Sequence, residues 1–446
     1  MHTLAAALAF ALKTADAFDF KTADAFDIKT ADAFTIGAPS GLGAGTTGGD
    51  GGEVVYPTST AELVAYLNDT RPFVVVLNQT FDFRGSEGTT TEIGCRPINN
   101  RRCIAKHNGF KGQDVIIQGG DMNSTGGCTS GTEVMVTYDN AGIKRVLVRD
   151  NKTIRGIGKN GVMIGKGLSL RNNIIVQNIL ITDLNPHLVW GGDAIFIPGS
   201  NDGTTVGNNI WLDHLKVSRI GRQMVVTGKA GVSSMTISNS DFDGNTEFSS
   251  SCDGHHYWTF LFYGKTTGIT MLNNYVHETS GRSPKVGGEV GDNVVVHAVN
   301  NYWSNNTGHS FDVDVNAHVL AEGNCFVNIN RTLKNGTRGE MYAFNGGEDA
   351  DVCKTYLGRP CGANFLVNSG SLTSRNGHLA LEVMKAYPNI IDHTSESTDS
   401  NTVEQQQQVY PKSLLNSEAA SALIQASDLE KEWVKTTGNF GVGKLD

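Results

Sequence analysis

The sequence predicts an all-β fold in which short strands stack as the coils of a parallel β-helix, with short flanking helices. One reason is composition: charged residues make up only 18% of the 446 residues and 53 are glycine, a balance that favours turns and short strands. The other is a repeated unit of alternating apolar residues, a marker residue and further apolar residues, found at residues 174–181, 210–217, 235–242, 270–276, 297–303 and 319–327.

The marker of each unit lies at the same phase, and the markers are Asn178, His214, Asn239, Asn273, Asn300 and Gly323. Consecutive markers are 23 to 36 residues apart, which is typical of solenoid coils with unequal loops. Asparagines stacked on successive coils can satisfy each other's amide groups, so we expect a ladder at this turn. A sandwich of hairpins is the alternative, but two-residue Asn-Gly turns are missing between the units.

The N-terminus predicts a secretory signal peptide over residues 1–17. A short apolar run at residues 4–12 precedes a small-residue cleavage pattern at residues 15–17, although only His2 stands where basic residues are usual. A buried or disordered N-terminus is the alternative. The apolar run is too short to span a bilayer and no other long apolar segment exists, so we expect no membrane span and no membrane partner.

The other segments follow in order. Residues 18–52 form a leader that contains most of three KTADAF repeats and then a Gly-rich stretch, which predicts a flexible connector. Residues 53–394 form the β-helix domain. A capped helix is predicted near its start, at residues 59–68. Residues 395–446 comprise a polar linker and a C-terminal helix at residues 417–433.

Glycosylation sequons and cysteines both favour a secreted, extracellular glycoprotein. Seven asparagines lie in Asn-x-Ser/Thr sequons, namely Asn68, Asn78, Asn123, Asn151, Asn305, Asn330 and Asn335. Seven cysteines are consistent with three disulfides and one free thiol, and spacing alone does not choose the pairs. The net charge of −9 excludes a nucleic-acid binder that relies on bulk positive charge.

Four segments carry polar and aromatic residues suited to chemistry: VWGGDAI (residues 189–195), RIGRQ (219–223), CDGHHYW (252–258) and SGRSPK (280–285). Each has a plain structural interpretation by itself, such as a surface turn, a bulge or a satisfied pair of histidines at His255 and His256. In a β-helix, however, residues at matching phases of neighbouring coils lie side by side. We therefore expect these segments to form one cleft.

The chain resembles secreted pectin lyases of polysaccharide lyase family 1. The resemblance rests on these four segments and on further motifs that follow the order of the family: VYPTSTAELVAYL, VMVTYDNAG, WLDH, HAVNNYW, GHSF, VLAEGN and TYLGR. The resemblance covers about residues 53–359. It implies a single-stranded, right-handed parallel β-helix that cleaves methyl-esterified homogalacturonan by β-elimination. Pectin is then the expected partner, and we expect the protein to act as a monomer.

The resemblance also assigns roles to residues. Arg282 of SGRSPK takes the place of the base, although a guanidinium with a pKa above about 12 is a poor proton acceptor. Arg222 and Lys285 would lower its proton affinity and stabilise the developing enolate. The remaining expected substrate-binding residues are Asp193 and three aromatic residues that would stack on sugar rings, Trp190, Tyr257 and Trp258.

Disulfides Cys95–Cys128, Cys103–Cys252 and Cys353–Cys361 are implied by the same resemblance, which leaves Cys325 as a buried free thiol. Members of the family often carry further tryptophans near the first cysteines, but residues 95–128 contain none. We therefore expect the affinity or the preferred ester pattern to differ in this protein.

Calcium is the cofactor to consider, because related pectate lyases bind Ca²⁺ through a carboxylate cluster. Only Asp193 remains of that cluster here, and Arg222 stands where a calcium ligand would be, so we expect no metal and no other cofactor. Three alternatives stay open: a calcium-dependent pectate lyase, a hydrolase that uses Asp312 and Asp314, and a non-catalytic pectin-binding protein.

Overall fold

The computed structural model describes residues 34–117, 121–122, 124–128, 130–346, 350–387, 389–390 and 439–445. The expected signal peptide, the polar linker at residues 395–408 and the expected helix at residues 417–433 lie outside this part of the chain. Among the described residues, none of the helices has the length and hydrophobicity needed to span a bilayer.

Three parallel sheets form the body of the described chain, and we name them sheets A, B and C. Sheet A contains Glu53–Val55, Phe73–Leu77, Lys152–Gly156, Ile174–Gln177, Ile210–Asp213, Met235–Ser238, Thr267–Leu272, Val294–Val299, Ala317–Glu322 and Glu340–Ala343. Sheet B contains Thr80–Asp82, Val162–Ile164, Leu180–Leu184, Lys216–Ile220, Asp241–Asp243, Tyr275–His277, Tyr302–Asn306, Cys325–Ile329 and Phe365–Val367. Sheet C contains Val146–Val148, Leu168–Leu170, Ile195–Ile197, Val225–Thr227, Phe260–Phe262, Lys285–Val286 and Asp312–Val313.

The chain runs from sheet A to sheet B to sheet C and returns to sheet A one coil further along. Each strand pairs in parallel with the strand of the next coil, so that Ile154, Val176 and Leu212 stack in one row inside the coil. These side chains are fully buried and belong to one continuous core. The predicted parallel β-helix is therefore confirmed.

The marker residues form the turn between sheets A and B. All six have φ between 49° and 63°, a left-handed conformation that asparagine tolerates better than most residues. The predicted amide ladder is one residue further along: Asn274 donates to Asn301 at 2.9 Å, Asn301 to Asn324 at 3.1 Å and Asn324 to Asn364 at 2.9 Å. The expected position was wrong by one residue, because marker side chains have other partners: Asn178 donates to the Gly156 carbonyl oxygen at 2.9 Å and Asn239 to Asp213 at 3.0 Å.

Helices and a small fourth sheet flank the coils. Helix α1 (Thr60–Asn68) begins at Ser59, whose side chain accepts from the Glu62 amide, and buries Leu63 and Leu67 against the first coil. The other helices are α2 (Ile98–Lys106), α3 (Asn140–Ile143), α4 (Ala350–Leu357) and α5 (Gly377–Met384), with 3₁₀ turns at Gly41–Gly43 and Asn201–Gly203. Sheet D joins Thr89–Arg96, Asp114–Val115, Thr132–Asp139 and Leu188–Val189.

The Gly-rich segment at residues 37–52 differs from the flexible connector that its composition predicts. It lies across the outer face of sheet A, where Leu42 and Gly43 donate their amides to Thr270 and Thr236 at 3.0 and 2.9 Å. Gly49 similarly donates to Thr153 at 2.9 Å. Outward-facing threonines therefore fix this segment, and glycine is needed because a Cβ at Gly49 would come within 2.0 Å of the Phe73 carbonyl oxygen.

Two of the three expected disulfides are present, Cys103–Cys252 and Cys353–Cys361. The expected bond between Cys95 and Cys128 is not: both are free and buried, and the Cys95 thiol donates to the Cys128 carbonyl oxygen at 3.7 Å. Burial raises the pKa of Cys128 to about 12, so this thiol stays protonated at neutral pH. Cys325 is also a buried free thiol.

The asparagine ladder generates the first testable prediction. Asn301→Ala removes an amide that both donates to Asn324 and accepts from Asn274 inside the coil. Because buried partners are left unpaired, we expect the free energy of unfolding to fall by about 2–3 kcal/mol. Urea unfolding measures the loss. The exposed control Asn208→Ala should change it by no more than about 0.5 kcal/mol, and equal effects of the two variants would contradict the ladder's role.

Candidate active site

The expected site residues lie just before successive strands of sheet C. Asp193 precedes Ile195–Ile197, Arg222 precedes Val225–Thr227 and Arg282 precedes Lys285–Val286. In-register pairing places Ile195 beside Val225 and continues the row across the sheet. The residues before these strands consequently gather at one edge of sheet C, as the sequence predicts for one cleft.

Asp193 is a carboxylate whose two oxygens are already engaged. One oxygen accepts the Gln223 backbone amide at 3.0 Å, and the other accepts the Arg145 guanidinium at 3.1 Å. Arg222 lies 3.9 Å from the first oxygen. Asp193 therefore acts as a counter-charge that orients the neighbouring arginines.

Arg222 stacks on an aromatic face at the centre of the cleft. Its guanidinium carbon lies 3.4 Å from the ring centroid of Trp190, a cation–π arrangement. Burial, opposed by Asp193 and assisted by the positive charge of Arg282, lowers the pKa of Arg222 to about 10. Its Nε atom is buried and has no hydrogen-bond partner among the described residues.

Arg282 repeats this arrangement two coils further along. Its guanidinium carbon lies 4.7 Å from the ring centroid of Trp258, and burial lowers its pKa below the ordinary value. Its φ of 48° is in the left-handed region, which costs energy for a residue other than glycine and is common at functional sites. Its Nη1 atom is buried without a hydrogen-bond partner in the described part of the chain.

The three aromatic residues support these cations. Trp258 donates its indole N–H to Gln113 at 3.0 Å and to Ser250 at 3.1 Å, and its ring packs edge-on against Tyr257 at 4.9 Å. Gly281 lies beneath Tyr257, where a Cβ would come within 2.4 Å of the ring. Trp190 is fixed by its bond to the Gly126 carbonyl oxygen at 3.0 Å. Stacking on sugar rings stays a prediction for the half-buried faces of these residues.

Lys285 faces carboxylates on the next coil. Its ammonium lies 3.9 Å from Asp312 and 3.7 Å from Asp314. Lys334 also pairs with Asp312 at 2.8 Å, and Arg338 with Asp314 at 2.7 Å. The two aspartates thus belong to an ion-pair row, and they do not form the free carboxylate pair that a hydrolase needs.

The pKa of Asp314 is also unsuited to the general acid of a hydrolase. Burial would raise it, but the Val315 amide and the Arg338 guanidinium outweigh burial and lower this pKa below its ordinary value. A general acid requires a raised pKa.

His255 and His256 have structural partners, as their plain interpretation predicts. The buried His256 ring bridges two site segments, with Nε2 lying 2.8 Å from the Arg222 carbonyl oxygen and 3.0 Å from that of Trp258. Burial lowers the pKa of His256 to about 4, so Nε2 donates as a neutral imidazole. His255 pairs with Glu278 at 2.6 Å.

Two residues at this site were missed at the level of sequence. Arg145, before the strand Val146–Val148, binds Asp193, and His309, before Asp312–Val313, lies 6.0 Å from Tyr257 between ring centroids. Burial, with the charge of Lys334 and Arg282, lowers the pKa of His309 to about 4. The signal that could have found them is their phase: each precedes a strand of sheet C, as Asp193 and Arg282 do.

The described residues contain no group of three or more His, Cys, Asp or Glu side chains arranged to hold a metal ion. Asp193 has both oxygens engaged, and two arginines approach it. A divalent cation at this carboxylate would be repelled by both guanidinium groups.

Comparison with known proteins places this site in a family. Residues 30–357 match the family described as pectate lyase. The chain belongs to this family. Among relatives, the probable pectin lyase F of Aspergillus niger is 45% identical over 339 residues, which cover 75% of this chain and 67% of that protein. Pectin lyase B of Emericella nidulans is 42% identical over 338 residues, covering 74% of this chain and 83% of that protein.

A solved pectate lyase from Bacillus sp. N165, in complex with trigalacturonate, is 18% identical to this pectate lyase family member. The comparison has a TM-score of 0.47 and covers 92% of this chain and 100% of that chain.

The buried histidine at this edge generates a prediction about pH. The pKa of His309 is about 4 in the folded protein against an ordinary 6.5, so the unfolded chain binds the proton first as the pH falls. This contribution to stability is complete above pH 6.5 and is lost as the pH falls towards 4. We expect His309→Gln to reduce the loss of unfolding free energy between pH 7 and 4.5, measured by urea unfolding.

The exposed His378→Gln serves as the control and should keep the wild-type pH dependence. An unchanged pH dependence in His309→Gln would contradict the assigned neutral state of His309.

Proposed function

We propose that this protein is a pectin lyase that cleaves methyl-esterified homogalacturonan within the chain by β-elimination and leaves 4,5-unsaturated oligogalacturonates. The observation that carries the proposal is the pair of partly buried arginines, Arg222 and Arg282. Each rests on a tryptophan and has a nitrogen without a partner among the described residues. Relatives of this chain are named pectin lyases, which supports the same substrate.

The reaction needs a base and a stabiliser of negative charge. In the proposed step, Arg282 in its neutral form accepts the proton from C5 of the uronate, and its lowered pKa favours that role. The C5–H electron pair forms the C4=C5 double bond. The bond between C4 and the glycosidic oxygen breaks with its electron pair on that oxygen, which then takes a proton from water.

Arg222 is the proposed stabiliser. As the C5 proton leaves, negative charge develops on the carbonyl oxygen of the C6 ester. A fixed cation in a cleft that excludes water stabilises such charge more than it stabilises the neutral ester. With a pKa of about 10, Arg222 stays protonated at neutral pH. Lys285, on the strand that follows Arg282, adds a positive charge, although its carboxylate partners on the next coil offset part of it.

A methyl ester suits this cleft better than a free carboxylate does at the reacting sugar. The ester carries no charge that a metal must neutralise before C5 becomes acidic, and Arg222 supplies fixed positive charge beside Asp193. We therefore propose that the reaction does not depend on calcium. The sequons and disulfides further support a secreted enzyme. We propose that it acts on plant cell walls as a monomer.

Absorbance of unsaturated product tests this function. The protein should generate it from highly methylated pectin at the same rate with calcium or with a chelator, and little from polygalacturonate. Activity on polygalacturonate that requires calcium would contradict the proposed role of Arg222. Binding of pectin without any absorbance would instead indicate a non-catalytic protein, and chain cleavage without absorbance would indicate a hydrolase.

Replacement of the proposed base generates a further prediction. Arg282→Ala should lower kcat on methylated pectin by about 10²- to 10⁴-fold, the range for loss of a general base, with a smaller change in KM. Arg219→Ala, which replaces an exposed arginine that pairs with Asp183, is the matched control and should retain wild-type kcat. Near wild-type turnover by Arg282→Ala would contradict the assignment.

A further inference from the structure

A cavity of about 490 Å³ adjoins the proposed catalytic groups. Tyr257 and Trp258 form part of its wall, and Trp258 is also the ring on which Arg282 rests. Helix α2 contributes Arg102 and Lys106 to the lining of the same cavity. The cavity and the proposed reaction centre therefore share the Trp258 side chain.

Helix α2 is fixed to the cleft by covalent and polar contacts. Cys103, in the middle of the helix, is bonded to Cys252 in the loop before Tyr257. Asn108, just beyond the helix, donates to the Cys252 carbonyl oxygen at 2.9 Å. The two cations of the helix are consequently held at a defined distance from the aromatic wall.

The cavity carries positive charge in a protein whose net charge is negative. Arg102 and Lys106 are exposed and have no ion pair or hydrogen bond with another described residue, and none of the described residues lining the cavity is Asp or Glu. By contrast, Arg101 on the same helix donates to the Ser130 carbonyl oxygen. In a protein with a net charge of −9, two unpaired cations in an acid-free cavity form a local site for an anion.

We propose that this cavity binds a free uronate carboxylate of the substrate, so that the enzyme prefers partially methylated pectin. The proposal rests on the proposed function. Arg102 offers a planar guanidinium that can bind a carboxylate with two parallel hydrogen bonds, and Lys106 adds a second positive charge. The methyl-esterified sugar then lies at Arg222 and Arg282, while an unesterified sugar of the same chain occupies the cavity.

The proposal accounts for the composition of residues 95–128, which contain cations and no tryptophan at this wall. A tryptophan would favour the apolar face of an esterified sugar, whereas a cation favours a carboxylate. Specificity for the ester pattern would thus reside in α2, and the chemistry in the segments before sheet C.

The test compares kcat/KM on half-methylated and fully methylated homogalacturonan. The value on the half-methylated polymer divided by that on the fully methylated polymer should fall about tenfold in Arg102→Ala/Lys106→Ala. It should fall about threefold in each single variant, because each exposed charge contributes modestly to binding. Arg101→Ala removes a charge from the same helix but not from the cavity, and should keep the wild-type ratio. Added salt should lower the wild-type ratio and leave that of the double variant almost unchanged.

Calorimetric binding of unesterified trigalacturonate gives a readout independent of catalysis. Affinity should fall about tenfold in the double variant and stay unchanged in Arg101→Ala. An unchanged ratio and unchanged affinity in a double variant that retains wild-type unfolding behaviour would overturn the carboxylate site while leaving the lyase function intact. Absence of unsaturated product from wild-type protein on either polymer would overturn the proposed function, and calorimetry would still decide the carboxylate site.

Discussion

Residue-by-residue pairing between successive coils is the constraint on which the rest of this structure depends. The strands of sheet C continue one another in register, so the residues that precede them gather at one edge of the sheet. Arg222 and Arg282 precede strands that are two coils apart, with Phe260–Phe262 paired between them. A slip of one residue in a strand would turn its core side chains outward, and the stacked aliphatic core and the asparagine ladder oppose such a slip.

The cleft that results is electrostatically unfavourable by itself. Two guanidinium groups lie close enough for Arg282 to lower the pKa of Arg222, and burial of unpaired charge is costly. The structure offsets part of this cost with the ring faces of Trp190 and Trp258 and with Asp193. What remains uncompensated is positive charge directed at the cleft, and this is the property that a developing enolate requires.

Much of this could be predicted from the sequence, because coil periodicity and the four motifs are local patterns. The sequence pattern identified the turn residues, since left-handed positions select asparagine and glycine. The asparagine ladder, however, lies one residue after these positions, at Asn274 and Asn301. Glycine content suggested flexibility at residues 37–52, where outward-facing threonines far along the chain accept hydrogen bonds from the segment. Those contacts depend on which coils become neighbours.

The same limit explains the errors at the site. Arg145 and His309 have no distinctive local motif, and they become visible only when their phase before sheet C is known. The partners of Lys285 were not foreseen either: Asp312 and Asp314 on the next coil share its charge, and its role towards the substrate stays a prediction. The expected pairing of Cys95 with Cys128 also fails, because the Cys95 thiol is directed at a carbonyl oxygen.

The central claim is that Arg222 and Arg282 together bind and deprotonate an esterified uronate. A crystal structure of Arg282→Ala with a methyl-esterified trigalacturonate tests it most directly. The account predicts the C6 ester carbonyl oxygen within hydrogen-bond distance of Arg222, and C5–H directed at the space vacated by Arg282. A saccharide bound with its C5–H facing away from that space, or a calcium ion between Asp193 and the sugar, would contradict it.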